Sequence, residues 1–223
     1  MYKSIQGEGV LTGTESIFVR TSGCNLRCGF CDTPFTSWQP EGTEQSISEI
    51  VQACQLQDCN HVVLTGGEPM LQKAVVDLTV SLKAVGFHIT IETAGTLDQP
   101  VACDLMSVSP KLSNSTPSAE RAGTWRERHE ARRYQPQVIH DLIARYPYQL
   151  KFVVDQPRDG QEIIEYLAEF PEIDAARVLL MPQGVEQTAL LEKEAWISKF
   201  CQQHGFQLCR RMHIVWFGNQ RGT

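Results

Sequence analysis

The sequence predicts an α/β protein whose parallel strands form a partial barrel of six βα units. Short β-rich runs alternate with stretches of helical periodicity, and six such strands can be counted up to Met181. Six strands are too few for a complete eight-stranded barrel, and an open doubly wound sheet is the alternative. In both folds, functional sites form at the carboxyl ends of the strands.

The order of elements follows from hydrophobic periodicity and from helix-end signals. Strands are predicted over 16–20, 61–65, 88–92, 105–109, 149–154 and 177–181, with a last strand-like piece over 206–211. Helices are predicted over 46–55, 71–85, 138–146, 160–170 and 186–204. Ser46 and Glu49 have capping-box spacing, and Gly86 and Gly205 end two of the helices.

The stretch from residue 113 to about 137 breaks this pattern. It is polar, charged and punctuated by proline, which predicts an excursion that carries a surface helix. Its basic run, 126–133, also contains Glu127 and Glu130, which predicts a solvated helix with internal ion pairs. Because no repeat or low-complexity tract divides the chain, we expect one domain over 1–223.

Composition limits the classes of function. The chain has 223 residues, a net charge of −6 and a pI near 5.5, which argues against a general nucleic-acid binder but not against a local basic patch. The sequence has no signal-peptide pattern and no apolar run long enough to span a membrane. We therefore expect a cytoplasmic protein, in which the eight cysteines are ligands or buried thiols and not disulfides.

Glycine, proline and polar clusters follow the predicted strands. The stretches are TSGC (21–24), GGEP (66–69), TAGT (93–96), PKLS (110–113), Asp155 and PQG (182–184). Parallel strands bring their carboxyl ends to one edge, so these loops should converge there. Turns alone account for some of these residues.

Three closely spaced cysteines give the strongest chemical signal. Cys24, Cys28 and Cys31 have C-x3-C-x2-C spacing, and thiolates are the usual ligands of iron–sulfur clusters. Three ligands leave one iron of a 4Fe–4S cluster open for a reacting molecule. A zinc site is the alternative, with Cys59 or His61 as a further ligand, but no second C-x2-C pair supports it.

This cysteine motif, with aromatic Phe30 before its last cysteine, resembles the signature of the radical S-adenosylmethionine (SAM) superfamily. GGEP resembles the second motif of that superfamily, which contacts SAM. The resemblance implies a partial (β/α)6-type TIM barrel of the radical SAM superfamily, a 4Fe–4S cluster with an open iron, and bound SAM.

More of the chain resembles one family of this superfamily, the 7-carboxy-7-deazaguanine synthases. The matching stretches are SIQGEG (4–9), 17–33, 63–72, IETAGT (91–96), VSPKL (108–112), LLMPQG (179–184) and GNQRG (218–222). This family consists of carbon–nitrogen lyases of queuosine and 7-deazapurine biosynthesis. They convert 6-carboxy-5,6,7,8-tetrahydropterin to 7-carboxy-7-deazaguanine with loss of ammonia, assisted by Mg²⁺.

The same resemblance implies a homodimer with a flavodoxin or ferredoxin as electron donor, and no nucleic-acid or membrane partner. Relatives carry a longer segment before the position of Gln6, so this chain either starts late or continues upstream.

The resemblance assigns roles to matching positions. Metal ligands would be Cys24, Cys28 and Cys31 for the cluster and Thr33 for Mg²⁺. Substrate contacts would be Ile5, Gln6, Gly7, Glu8, Arg20 and Thr65. SAM contacts would be Gly67, Glu92, Ser109, Pro110, Lys111 and Gln183. The end of the chain, Gly222 and Thr223, would lie near the substrate.

Simpler roles stay open for four of these side chains. Thr33 could be a loop hydroxyl that bonds its own backbone, Glu8 could be a solvated acid, Arg20 could form a surface ion pair, and Glu92 could be an exposed strand-end acid. His213 shows no ligand spacing, and neither does His129.

Two other functions compete with this interpretation. A glycyl-radical-enzyme activase shares the cysteine spacing but should lack QGEG and the CDT threonine, which are both present. A non-enzymatic iron–sulfur or zinc carrier would need neither GGEP nor convergent loops.

Overall fold

The computed structural model describes residues 1–222, and an eight-stranded sheet organises them. The strands are β1 (Tyr2–Ile5), β2 (Glu15–Thr21), β3 (His61–Gly66), β4 (His88–Thr93), β5 (Leu105–Val108), β6 (Tyr148–Val154), β7 (Val178–Pro182) and β8 (Gln207–Leu208). The helices are α1 (Pro34–Ser37), α2 (Ile47–Gln55), α3 (Val75–Ala84), α4 (Ala119–Ala122), α5 (Trp125–Arg133), α6 (Pro136–Arg145), α7 (Pro157–Ala168), α8 (Gln187–His204) and α9 (Met212–Phe217). Short 3₁₀ turns cover Pro69–Leu71, Ser113–Ser115 and Ala175–Arg177.

Strand order in the sheet follows chain order. β1 pairs antiparallel with β2, and each later strand from β3 to β8 pairs in parallel with the one before it. A doubly wound sheet would reverse direction at a switch point, and this order has no such reversal. The fold is therefore the partial barrel that the sequence predicts, and its six long parallel strands are β2 to β7.

Local signals set the helix boundaries. The Ser46 side chain accepts a hydrogen bond from the Glu49 amide, and Glu49 accepts one from the Ser46 amide, which completes the predicted capping box of α2. Gly205 ends α8 in the left-handed conformation, at φ 72°. Among residues 1–222, no helix is both long and apolar enough to cross a bilayer.

The core lies between the sheet and the helices, and it includes a row of hydrogen-bonded polar side chains on three neighbouring strands. The buried imidazole of His61 bonds to Ser16 Oγ through Nδ1 (2.8 Å) and to Thr90 Oγ1 through Nε2 (2.9 Å). Burial lowers the pKa of His61 to about 4, so the ring is neutral at pH 7. His61 therefore links β2, β3 and β4, and both its nitrogens are already bonded to protein groups.

The polar excursion packs against the barrel. It contains the 3₁₀ turn at Ser113–Ser115 and helices α4 and α5. The prediction of internal ion pairs is right only for Arg133, whose Nε lies 2.9 Å from a Glu130 carboxylate oxygen. Other arginines of the run stack on Trp125 or donate to backbone carbonyls, since α5 lies against other parts of the chain.

Candidate active site

The three cysteines lie on the loop that follows β2, and their side chains line one cavity of about 410 Å³, here called the cysteine chamber. All eight cysteines of the chain are free thiols. Burial raises the pKa of Cys24 to about 11 and that of Cys28 to about 12, so without a bound cation these thiols keep their protons. A positively charged metal centre would replace those protons, as in other thiolate sites.

The donor set and its arrangement fit a polynuclear cluster. Within residues 1–222, no three His, Cys, Asp or Glu side chains gather tightly enough to hold a single metal ion. A 4Fe–4S cluster distributes its cysteine ligands over separate irons, so the thiols need to line a common cavity without meeting at a point. Cys24, Cys28 and Cys31 line one cavity, which meets the first of these needs.

Most of the residues predicted to contact SAM line the same chamber. Gly67, Glu92, Ser109, Lys111 and Gln183 are all at its wall. Lys111 Nζ donates to Ser109 Oγ (2.8 Å) and to the Ser109 carbonyl (2.6 Å), which holds the PKLS loop in position. Pro110 is buried but is not part of the wall of either cavity.

The GGEP loop is shaped by close backbone contact. A Cβ on Gly67 would lie 1.9 Å from the Gly23 carbonyl oxygen, so no other residue fits there. The Glu68 side chain is fully buried and accepts hydrogen bonds from Thr93 Oγ1 (2.8 Å), the Ala94 amide (2.8 Å) and the Met70 amide (3.0 Å). Glu68 therefore joins the loop after β3 to the loop after β4.

A second cavity of about 1340 Å³, here called the large chamber, adjoins the cysteine chamber. Its wall contains every predicted substrate contact: Ile5, Gln6, Gly7, Glu8, Arg20 and Thr65. Residues 218–222 near the end of the chain also line it, including Gly222. Thr223 lies outside the described residues.

The two chambers share a wall, and Glu92 lies in it. Glu92 accepts hydrogen bonds from Thr65 Oγ1 (2.7 Å) and from Gln6 Nε2 (3.2 Å). Glu8, Thr33 and Arg211 also line both chambers. The predicted SAM contact Glu92 is thus bonded to two predicted substrate contacts, and it is not an exposed strand-end acid.

Glu8 belongs to a buried charge cluster. Its carboxylate accepts hydrogen bonds from Lys151 Nζ and from Arg211 Nε (3.2 Å), and His213 Nδ1 lies 3.8 Å from Oε1. Burial alone would raise the pKa of Glu8, but the charges of Lys151, Arg211 and His213 outweigh burial and hold the pKa well below its ordinary value. Arg211 also binds the Asp32 carboxylate. Glu8 is therefore an ionised group that is paired with two cations.

Sequence reasoning missed the partners of Glu8. One sequence feature could have indicated a role for Lys151, because a charged residue inside QLKFVV, an otherwise apolar strand, needs a buried partner. Arg211 and His213 carried no such signal, because they lie more than 200 residues from Glu8 and belong to a loop and a short helix.

Arg20 and Thr33 have groups available for a ligand. Arg20 Nη2 donates to the Tyr2 hydroxyl (3.0 Å), and among residues 1–222 its guanidinium forms no ion pair. Thr33 precedes α1 without capping it, and its hydroxyl lies 3.8 Å from Cys31 Sγ. Among residues 1–222, Arg20 therefore forms no surface ion pair, and the Thr33 hydroxyl bonds to the Cys31 thiol of its own loop and not to the backbone.

Comparison with known proteins identifies the family to which the chain belongs. Residues 18–112 match the model of the radical SAM superfamily. The chain is 48% identical, over its full length and 86% of the relative, to a 7-carboxy-7-deazaguanine synthase of Rhodopirellula baltica. The chain belongs to the 7-carboxy-7-deazaguanine synthase family. A relative from Halobacterium salinarum with the same name is 43% identical over 96% of this chain and 88% of its own length.

Solved structures support the fold of this family member. A crystal structure of QueE from Escherichia coli has a TM-score of 0.69 at 24% identity and covers 94% of this chain and 91% of its own. A structure of Streptococcus suis SuiB bound to S-adenosylmethionine has a TM-score of 0.56 at 13% identity, covering 91% of this chain and 55% of its own. At these identities the likeness concerns the fold alone.

Proposed function

We propose that this family member is a carbon–nitrogen lyase that converts 6-carboxy-5,6,7,8-tetrahydropterin to 7-carboxy-7-deazaguanine with loss of ammonia. The product would enter queuosine or another 7-deazapurine pathway. The observation that carries the proposal is the pair of adjoining chambers, one with the cluster ligands and one with every predicted substrate contact.

The cysteine chamber would hold the cofactors. Cys24, Cys28 and Cys31 would bind the 4Fe–4S cluster, while SAM would lie along Gly67, Glu92, Ser109, Lys111 and Gln183. Pro110 would act through the backbone of its loop. When bound, the reduced cluster and SAM supply the radical chemistry that removes a hydrogen atom from C6 of the pterin.

The large chamber would orient the pterin. Arg20 is the next-to-last residue of β2, lies at the wall, and can hold the substrate carboxylate through two parallel hydrogen bonds. Glu8 is ionised and can accept hydrogen bonds but not donate them, so it suits the N–H donor edge of the pterin. Lys151 and Arg211 hold the Glu8 carboxylate in place before the substrate arrives.

Thr33 would bind Mg²⁺ at the wall between the chambers. A hydroxyl oxygen is a suitable ligand for this hard cation, which keeps several waters and takes few protein ligands. Thr33 lines both chambers, so a cation held there would lie beside both the cofactor site and the substrate site.

The wider setting follows from the family and the fold. One radical SAM domain over 1–223 would carry both chambers, with the excursion at about 113–137 packed on it. The enzyme would work in the cytoplasm as a homodimer, reduced by a flavodoxin or ferredoxin, without a membrane partner. The net charge of −6 supports a setting without a nucleic-acid partner.

The test is conversion by the reconstituted enzyme. The cluster is assembled anaerobically and reduced, and SAM, Mg²⁺ and the carboxytetrahydropterin are added. We expect 7-carboxy-7-deazaguanine and ammonia by mass spectrometry, and neither from Cys28→Ala. Cleavage of SAM to 5′-deoxyadenosine without that product would refute the substrate and favour the activase. An intact cluster that cleaves no SAM would favour the electron carrier.

A further inference from the structure

The excursion at 113–137 packs on the loop that bears the cluster ligands. The Gly29 amide donates to the Ser115 carbonyl (2.8 Å), and Arg121 Nη1 donates to the Gly29 carbonyl (2.7 Å). His129, fully buried, accepts from the Arg27 amide through Nδ1 (3.2 Å), so its other nitrogen donates to Ser115 Oγ (3.0 Å). The excursion therefore forms the outer surface over the cysteine loop.

That surface is lined by arginines without carboxylate partners. The guanidiniums of Arg27, Arg128 and Arg132 lie 4.0, 5.4 and 6.0 Å from the ring centroid of Trp125. Arg121 lies 4.1 Å from the Trp38 centroid, and Arg126 donates to the Pro117 carbonyl (2.6 Å). Through residue 222, none of these guanidiniums is in a salt bridge. We call this set the arginine face: Arg27, Arg121, Arg126, Arg128 and Arg132.

The arginine face is positive in a chain that is negative overall. The excursion has three exposed carboxylates: Glu130 pairs with Arg133, and Glu120 and Glu127 offset only two of the five guanidiniums, while the whole chain carries −6. A local field of this sign attracts and orients an acidic partner. The charge is therefore concentrated on the side of the molecule where the cysteine loop is covered.

The arginine face is also in direct contact with the ligand backbone. Arg27 Nη1 donates to the Cys24 carbonyl (2.8 Å), and Trp38 Nε1, beneath Arg121, donates to the Cys28 carbonyl (3.1 Å). Arg27 alone would therefore separate a molecule docked on the arginine face from the Cys24 backbone, and Arg121 and Trp38 would separate it from the Cys28 backbone.

We propose that the arginine face is the docking surface for an acidic one-electron carrier protein. The inference rests on the proposed function, which requires the cluster to be reduced from outside. One electron leaves the reduced carrier and enters the oxidised cluster, and no bond is made or broken. Nucleic acid fits the surface less well, because guanidiniums already cover the faces of Trp125 and Trp38 on which bases would stack.

The test uses charge reversal away from the cysteine loop. Arg126→Glu/Arg128→Glu changes two exposed arginines that, in the described part of the chain, make no hydrogen bond to the cysteines. Arg128→Glu alone is the variant of least structural risk, because its guanidinium has only a distant stacking contact with Trp125 among residues 1–222. The matched control is Arg177→Glu/Lys199→Glu, which changes net charge equally at two exposed positions outside the excursion and the cysteine loop.

Two readouts are taken with an acidic flavodoxin as the probe. The first is its dissociation constant for the cluster-loaded protein, from fluorescence anisotropy. The second is the rate at which the reduced flavodoxin bleaches the visible absorbance of the cluster, without pterin. At low salt we expect the face variant to lose about tenfold or more in both readouts relative to wild type and control. High salt should remove the difference, and dithionite should reduce all three proteins equally.

The outcomes separate the docking surface from the enzyme. Equal binding and reduction in wild type and face variant would overturn the proposal, as would an equal loss in the control. A face variant that loses binding to a short RNA but not to flavodoxin would also overturn it. If dithionite yields a reduced cluster but no 7-carboxy-7-deazaguanine, the proposed function fails while the docking result stands.

Discussion

Replacing Lys151 by methionine should destabilise the protein strongly, because it leaves the ionised Glu8, largely buried at the wall between the chambers, with fewer partners. Lys151 is 5% exposed, and its ammonium bonds directly to Glu8. Removing one partner of a buried ion pair costs about 3–5 kcal/mol. Arg211 keeps its contact with Glu8 at 3.2 Å, so we expect a loss near the lower end, about 3 kcal/mol.

Urea denaturation at pH 7, with linear extrapolation to water, measures this loss. The matched control is Lys83→Met, because Lys83 pairs with Asp104 at 2.8 Å but both side chains are about one third exposed. Such a pair contributes about 1 kcal/mol or less. If Lys151→Met lost no more stability than Lys83→Met, the account of a buried, coupled Glu8 cluster would be refuted.

Three further predictions concern the site. Arg20→Lys should raise KM for the pterin about tenfold or more with little change in SAM cleavage, because lysine cannot hold a carboxylate in parallel hydrogen bonds; an unchanged KM would contradict the role of Arg20. Gly67→Ala should reduce the yield of folded, cluster-loaded protein, since its Cβ would meet the Gly23 carbonyl, whereas Gly29→Ala, with its nearest atom at 3.4 Å, should load normally by visible absorbance. The pKa of Glu8 is lower in the folded protein than in the unfolded chain. The ionised Glu8 therefore stabilises the fold fully above the unfolded pKa of about 4.3, and this stabilisation is lost as the pH falls below that value. Glu8→Gln should therefore flatten the acid limb of stability between about pH 5 and 3 in thermal melts, and an unchanged limb would count against this linkage.

Much of the fold could be predicted from local patterns. The apolar run at 61–65 and its turn residues place β3, and the capping box at Ser46 places α2, because these signals are complete within a few residues. The antiparallel strand β1 was not predicted, since four residues, three half-buried and one exposed, give no periodicity of their own.

In the candidate site, too, some residues could be predicted from local patterns, and others depend on contacts between distant segments. The cysteine spacing and the GGEP loop are local, so the sequence alone points to the cysteine chamber. The wall between the chambers joins Glu8 to Lys151 and Arg211, which come from three distant parts of the chain. Such contacts depend on strand order and register, which periodicity does not specify.

The packing of the excursion also depends on long-range contacts. His129 gave no signal because its partners, the Arg27 amide and Ser115, become neighbours only when α5 lies against the cysteine loop. The basic run predicts a solvated helix, and Arg126, Arg128 and Arg132 are indeed exposed, but no sequence feature indicates that α5 also contacts the cysteine loop through His129.

A crystal structure of the anaerobically reconstituted protein with SAM and 6-carboxy-5,6,7,8-tetrahydropterin tests the central claim most directly. The account predicts the cluster on Cys24, Cys28 and Cys31, and SAM in the cysteine chamber. It predicts the pterin in the large chamber, with its carboxylate on Arg20 and its donor edge on Glu8. A pterin bound elsewhere, or SAM bound away from the cysteines, would contradict the proposal that the cysteine chamber binds SAM and the large chamber binds the pterin.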